Sequence, residues 1–376
     1  MAGKIVIVTG EVSGDIYGGL LAKEILRLDP SIRITGVGGE RMRAAGVDTF
    51  LDSNDLSVVG FWEAVIRLGR LRRALVTVKR HIRTERPDLI VFIDYPGMNL
   101  RLAKYASKQG IKVMYYISPQ VWAWGRNRVG IIKQNVDKMV VILPFEVQFY
   151  RKEGMDVSYV DHPLIDIVKP KLTREAFLDE MGFTESDRLI TLMPGSRPQE
   201  IRNHMAPLLL TAGHLRKGFP DARFVVASLP AFEEVVSSEA ESSGLNIAVT
   251  SAYGYDALKY SDLAIACSGT ATLEAALLAT PMIVIYKLAL FSWALGRLIV
   301  KVPYISLANL IAGSEVVPEF LQSAVDPEML AREAADILND EARRKRMIEK
   351  LTEVRDRLGS GGASARAAEE AVSLMP

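Results

Sequence analysis

The sequence predicts an α/β protein of two doubly wound domains facing a cleft, and three observations predict it. Short β-branched runs bounded by Gly, Pro or Asp alternate with helical patterns along the first half. After an aperiodic stretch holding Pro163 and Pro170, residues 161–170, the alternation starts again. A chain of 376 residues is also long for one core, so two domains are expected. This rhythm belongs to parallel sheets wrapped on both faces, which bind ligands beyond the carboxyl ends of their strands.

In order along the chain, the predicted strands of the first half are 4–9, 32–37, 89–93, 112–117, 138–142 and 157–160. Helical patterns at 16–28, 100–108 and 145–152 lie between them. Together they define a first domain at 1–165. Strands at 189–193, 224–227, 247–249, 263–267 and 282–285 define a second at 171–345. From Pro327 onward the chain is helical and rich in Ala, Glu and Arg, broken by Gly359-Ser360-Gly361-Gly362. Residues 346–376 are expected to form a helical tail, packed on the first domain or on a partner chain.

Composition narrows the function classes. A net charge of +1 gives no general drive toward nucleic acid, so any basic surface is local. The single cysteine, Cys267, ends a predicted buried strand, which excludes an internal disulfide and fits the cytosol. Met1-Ala2-Gly3-Lys4 runs straight into a strand without the apolar stretch of a signal peptide. The longest uncharged apolar segment, 275–286, contains Pro281 and is too short to span a bilayer. A non-spanning protein is expected. His81, His162, His204 and His214 show no metal-ligand spacing.

Four loops after strands carry chemical content. Ser268-Gly269-Thr270-Ala271-Thr272-Leu273-Glu274 joins an apolar strand to a helix and gathers backbone N–H groups where the helix dipole is positive. That geometry suits a diphosphate, with Glu274 set to accept ribose hydroxyls. The same residues also suit an ordinary βα turn with Thr270 as N-cap. Pro194-Gly195-Ser196-Arg197 ends another strand: Gly195 allows a tight turn, Ser196 can donate, and Arg197 offers a planar fork for phosphate. An arginine at a helix start opposes the dipole, which favours a ligand role.

Asp94 leaves the carboxyl end of the most apolar strand of the first half, followed by Tyr95-Pro96-Gly97-Met98-Asn99. It can serve as a general base for an attacking hydroxyl or simply hold an Asx-turn. Gly10-Glu11-Val12-Ser13-Gly14-Asp15 is no dinucleotide fingerprint, because a carboxylate at Glu11 would repel a pyrophosphate. It reads either as a loop gripping hydroxyls or as a turn capped by Ser13 or Asp15.

Residues 61–82 carry an apolar stripe at Phe61, Ala64, Leu68, Leu71, Leu75, Val78 and Ile82. Trp62, Val65 and Ile66 lie off it, and eight Arg or Lys between Arg67 and Arg86 face one acid, Glu85. An apolar surplus beside positive charge suits an anionic membrane surface or a lipid ligand; a solvated basic face is the alternative. The apolar run 288–304, with Phe291, Trp293 and Tyr304, suits an acyl-binding wall or plain core, and Trp122-Ala123-Trp124-Gly125-Arg126 is equally open.

Taken together, these loops with Gly36-Val37-Gly38-Gly39, Ser118-Pro119-Gln120-Val121-Trp122-Ala123-Trp124 and Ser306-Leu307-Ala308-Asn309-Leu310-Ile311-Ala312-Gly313 resemble the lipid-A-disaccharide synthase family, in that family's order and over nearly the whole chain. The resemblance implies two Rossmann-like domains of the GT-B glycosyltransferase type. It implies inverting transfer of 2,3-diacylglucosamine from UDP-2,3-diacylglucosamine to the 6-hydroxyl of 2,3-diacylglucosamine 1-phosphate. The products would be a β-1,6 disaccharide 1-phosphate and UDP, made at the cytoplasmic face of the inner membrane.

By the same resemblance Asp94 is the catalytic carboxylate and Arg197 the diphosphate arginine. Gly195, Ser196, Ser268, Gly269, Thr270 and Glu274 cradle the UDP-sugar with Asn309 nearby, and Glu11, Ser13 and Asp15 face the acceptor. Trp62, Val65 and Ile66 would meet acyl chains or membrane. No metal and no cofactor are expected, nucleic acid is not a partner, and a homodimer is. Asp161 stands where the family usually has Gly, and Ala308 where it commonly has Pro. Two other readings remain: a UDP-N-acetylglucosamine 2-epimerase, and a non-catalytic nucleotide-sugar or lipid-binding protein on the same fold.

Overall fold

The computed structural model describes residues 3–53, 63–123, 125–288 and 302–376, which form two compact units. Met1–Pro163 joins Ser360–Pro376 in the first, and Leu164–Gly359 makes the second. Unit one holds β1 (Lys4–Val8), β2 (Arg33–Gly38), β3 (Asp48–Asp52), β4 (Leu89–Ile93), β5 (Lys112–Tyr116), β6 (Lys138–Val141) and β7 (Ser158–Tyr159). They form one parallel sheet in the order β3-β2-β1-β4-β5-β6-β7, with Val8 paired to Val37 on one side and to Phe92 on the other. Every residue of β4 is buried, which is why Leu-Ile-Val-Phe-Ile reads as an unbroken apolar run: helices cover both faces.

The second unit repeats the plan with β8 (Arg188–Met193), β9 (Ala222–Ala227), β10 (Ile247–Thr250), β11 (Leu263–Cys267), β12 (Met282–Tyr286) and β13 (Glu319–Leu321). The order is β10-β9-β8-β11-β12-β13, again parallel throughout. In each sheet the winding reverses direction beside its first strand, so β1/β4 and β8/β11 are the topological switch points where such folds bind ligands. All four loops singled out above follow one of these four strands.

Two edge strands, β3 and β13, escape the sequence reading because Asp-Thr-Phe-Leu-Asp and Glu-Phe-Leu are short and half-exposed. The expected aperiodic linker contains a helical turn, Leu164–Ile167. The expected tail is also divided. Helix Glu341–Arg357 packs against Thr270–Leu277 and Leu307–Ala312 in the second unit, whereas Ala363–Ser373 packs on Val12–Leu28 in the first. The chain passes between units at glycines 359, 361 and 362, all with positive φ, a conformation that glycine adopts without a Cβ clash.

Along helix Glu63–Glu85, Ala74, Val78 and Ile82 are fully buried, and Leu71 and Leu75 pack against the same core. Arg70, Arg72, Arg73, Arg80, Arg83 and Arg86 are exposed. Trp62 and the side chains of Val65 and Ile66 lie outside the described residues, as do Trp124 and 289–301. Among the described residues no helix is long and apolar enough to cross a membrane.

Candidate functional site

At the first switch point the loops after β1 and β4 pack closely. A Cβ on Gly10 would lie 2.4 Å from the Tyr95 ring, so only glycine admits this approach. Glu11 occupies the N-cap of helix Val12–Leu28 without capping it through its side chain, and Ser13 is half-buried beside it. Asp15 has a different task from the one expected. Its carboxylate is buried and accepts the N–H groups of Gly39 (2.6 Å), Arg41 (3.0 Å) and Met42 (3.1 Å). It neither caps its own helix nor presents an open carboxylate to an acceptor; it anchors the Gly38–Gly39 turn to the switch point.

Asp94 and Tyr95 both have positive φ, +43° and +46°, and so does Ile117 after β5, at +65°. Non-glycine residues held there cost about 1–3 kcal/mol each and gather at functional sites. Tyr95, rather than Asp94, is the N-cap of helix Pro96–Lys108. Glu146 lies near Asp94, fully buried, accepting Trp122 Nε1–H (3.1 Å) and the N–H groups of Leu143 (3.1 Å) and Ile142 (3.3 Å). Burial pushes its pKa up to about 7 against those donors, and the Asp94 charge adds to the rise. The Trp122 segment is thus tied into the wall of this site.

At the second switch point Pro194-Gly195-Ser196-Arg197 is organised by Glu200, which sequence reading did not assign. Its buried carboxylate accepts Ser196 N–H (2.9 Å), Arg197 N–H (3.2 Å) and the Arg197 guanidinium (3.1 Å). Arg197 therefore does have a structural partner at the helix start, which offsets the dipole, while half its side chain stays exposed. A Cβ on Gly195, at φ +129°, would lie 2.5 Å from Glu200 Cβ.

His204, also missed, is fully buried. Its Nε2 accepts Lys287 N–H (2.9 Å), so the proton sits on Nδ1 and is donated to the Pro194 carbonyl (2.9 Å). Asn203 Nδ2 donates to the Lys287 carbonyl (2.8 Å), and burial lowers the His204 pKa. The loops leaving β8 and β12 are pinned together by one helix.

After β11, Gly269 with φ +142° forms the N-cap of helix Thr270–Leu277, without a side-chain cap, in place of the Thr270 cap the alternative required. Gly269 and Thr270 are exposed. Ser268 Oγ donates to the Ile305 carbonyl (2.9 Å). Glu274 accepts a long hydrogen bond from Tyr255 Oη (3.4 Å); burial drives its pKa up to about 7 although some of its surface remains accessible. Asn309 is buried with its amide fully engaged: Nδ2 donates to Val317 O and Glu319, and Oδ1 accepts Val316 and Val317 N–H. Glu319 also accepts the N–H groups of Ile305 and Ser306. Asn309 thus secures the segment that crosses the Ser268 turn and has no amide valence left for a ligand. No group of three metal-ligating side chains converges among the described residues.

The arrangement gathers the carboxylates of Glu11 and Asp94 with the Ser13 hydroxyl at one switch point, and the Arg197 guanidinium, uncapped helix amides and the Glu274 carboxyl at the other. A family model described as lipid-A-disaccharide synthetase matches residues 5–373. A lipid-A-disaccharide synthase of Geobacter sulfurreducens is 41% identical over 373 residues, covering 99% of this chain and 97% of that protein. Among solved structures, the UDP-GlcNAc 2-epimerase of Neisseria meningitidis bound to UDP-GlcNAc superposes with a TM-score of 0.67 at 13% identity, covering 98% of this chain and 100% of that one. The calicheamicin glycosyltransferase CalG4 superposes with 0.61 at 16%, covering 100% and 98%. At such identities these two share the GT-B fold and nothing finer, whereas the full-length matches define descent: the chain belongs to the lipid-A-disaccharide synthetase family of glycosyltransferases.

Proposed function

We propose that the chain moves 2,3-diacylglucosamine from UDP-2,3-diacylglucosamine to the 6-hydroxyl of 2,3-diacylglucosamine 1-phosphate, with inversion, releasing UDP. The family match over residues 5–373 carries the reading. In it, Asp94 takes the hydroxyl proton as the acceptor oxygen attacks the anomeric carbon. The bond from that carbon to the diphosphate breaks, and its electron pair leaves on UDP. Arg197 and the uncapped amides after Gly269 meet the growing negative charge, with Gly195, Ser196, Ser268 and Thr270 shaping the cradle and Glu274 accepting ribose hydroxyls. Glu11 and Ser13 face the acceptor; Asp15 and Asn309 serve by holding backbone.

The exposed arginines of helix Glu63–Glu85 support contact with an anionic membrane at the cytoplasmic face of the inner membrane, with Trp62, Val65 and Ile66 meeting lipid. A homodimer belongs to the same reading and is measured by sedimentation.

Mass spectrometry of the products from UDP-diacylglucosamine mixed with the diacylglucosamine 1-phosphate tests the assignment. A tetraacyl disaccharide 1-phosphate with stoichiometric UDP is expected. Donor binding without product would instead make this a binding protein, and an epimer formed from UDP-N-acetylglucosamine alone would make it an epimerase.

A further inference from the structure

The backbone around Asp94 does not hold itself. Two consecutive non-glycine residues with positive φ end β4, and Ile117 with positive φ ends the adjacent β5. Such conformations persist only where their surroundings over-determine them. Here the Asp94 carbonyl accepts two hydrogen bonds from side chains that are each 0% exposed: Tyr115 Oη at 2.6 Å and Asn99 Nδ2 at 2.8 Å. Asn99 Nδ2 also approaches the carbonyls of Ile93 (3.2 Å) and Val8 (3.5 Å), joining the ends of β4 and β1. On the other side of the same residue, Asp94 N–H lies 3.3 Å from the Ile117 carbonyl and 3.4 Å from that of Tyr116. Both peptide planes flanking the Asp94 Cα are therefore fixed from three elements: β5, the turn after it, and helix Pro96–Lys108.

A buried tyrosine hydroxyl on a central parallel strand and a buried asparagine on the following helix are costly in places where Phe and Leu would pack as well. Their shared target is one carbonyl, that of the residue proposed as base. We propose that Tyr115 and Asn99 are positioning residues that clamp the strained 94–95 backbone and so set the direction in which the Asp94 carboxylate is presented to the acceptor hydroxyl. The inference rests on the reading of Asp94 as general base. Neither residue touches substrate; both act through Asp94.

The test is steady-state kinetics on full-length Tyr115→Phe and Asn99→Leu, with Asp94→Asn alongside, together with UDP affinity by calorimetry and a thermal midpoint for each. Loss of the Tyr115 hydroxyl is expected to lower kcat by about 10- to 100-fold while both KM values and UDP affinity stay within about threefold, because misplacing a reacting group weakens turnover without weakening binding. Asn99→Leu is expected to do the same; should it not fold, Tyr115→Phe alone decides. A Tyr115→Phe enzyme with kcat within about twofold of wild type, or one whose loss lies in KM, overturns the clamp. If Asp94→Asn is inactive at that point, the base assignment stands without it. If Asp94→Asn itself turns over normally, the base assignment and the clamp fall together. A merely structural hydroxyl would lower the thermal midpoint and leave kcat of the folded enzyme unchanged.

Discussion

Arg197 and Glu274 are each held by a neighbouring side chain while part of their surface stays open. Arg197 is held by Glu200 yet keeps half its surface open. If it meets the diphosphate, Arg197→Ala should weaken UDP binding by about 10- to 100-fold, the worth of a charge-assisted hydrogen bond. Isothermal calorimetry reads this directly, and unchanged affinity removes the role. For Glu274 the sign of the pH effect follows from its raised pKa. Between the unfolded value of 4.5 and about 7 the folded chain binds a proton that the unfolded chain releases. Its contribution to stability is therefore full below that window and is lost as pH rises through it. In the proposed complex ribose hydroxyls donate to the ionised form, so UDP affinity should rise from pH 6 to pH 8. Glu274→Gln should flatten that part of the profile, and parallel profiles for both proteins would exclude it.

At the scale of elements, the helix Pro198–Gly218 organises the loops after β8 and β12 more than its sequence suggests. Glu200 caps the loop after β8, while His204 and Asn203 grip the backbone at Lys287 after β12. His204→Ala removes a buried imidazole and leaves the part-buried Lys287 N–H and the buried Pro194 carbonyl without that partner. A loss of about 2–3 kcal/mol in urea unfolding is expected, with weaker UDP binding. These contacts join residues up to 84 positions apart, so no local pattern announces them, and the histidine was legible only as lacking metal-ligand spacing. The strands and the loops after β1, β4, β8 and β11 were legible, because strands buried on both faces leave continuous apolar runs with glycines and polar residues at their ends. The half-exposed β3 and β13 leave no such trace.

For the whole molecule, the two crossings of the chain between units matter most. Asp161 has φ +66°, the conformation that explains a usual glycine at this place. Here its carboxylate accepts from Arg366 (2.6 Å) and from Ser360 N–H (3.0 Å), and Arg366 also donates to the Val160 carbonyl (2.8 Å). The helix Ala363–Ser373 is thereby tied to the first unit, with Lys138 and Glu370 paired at 2.7 Å. Asp161→Gly keeps the backbone but loses the tie, and should cost about 1–3 kcal/mol by denaturant titration. The exposed arginines of helix Glu63–Glu85 form the face proposed to meet the membrane. Reversing Arg70, Arg72 and Arg73 to Glu should abolish salt-sensitive binding to vesicles containing anionic lipid, at about 1 kcal/mol per charge. Retained sedimentation with such vesicles would remove the membrane assignment from this face.

Local patterns along the chain specify the class of fold, every strand of both sheets except β3 and β13, and the loops that hold polar residues. Those are local properties, written in apolar runs and in the residues that end them. Folding in three dimensions settled that these loops share two switch points, because strand order is set by pairing between distant segments. It also decided which polar residues serve by holding others: Asp15, Asn99, Tyr115, Glu200, His204 and Asn309 are buried, and a buried polar group acquires its meaning from the partner that satisfies it.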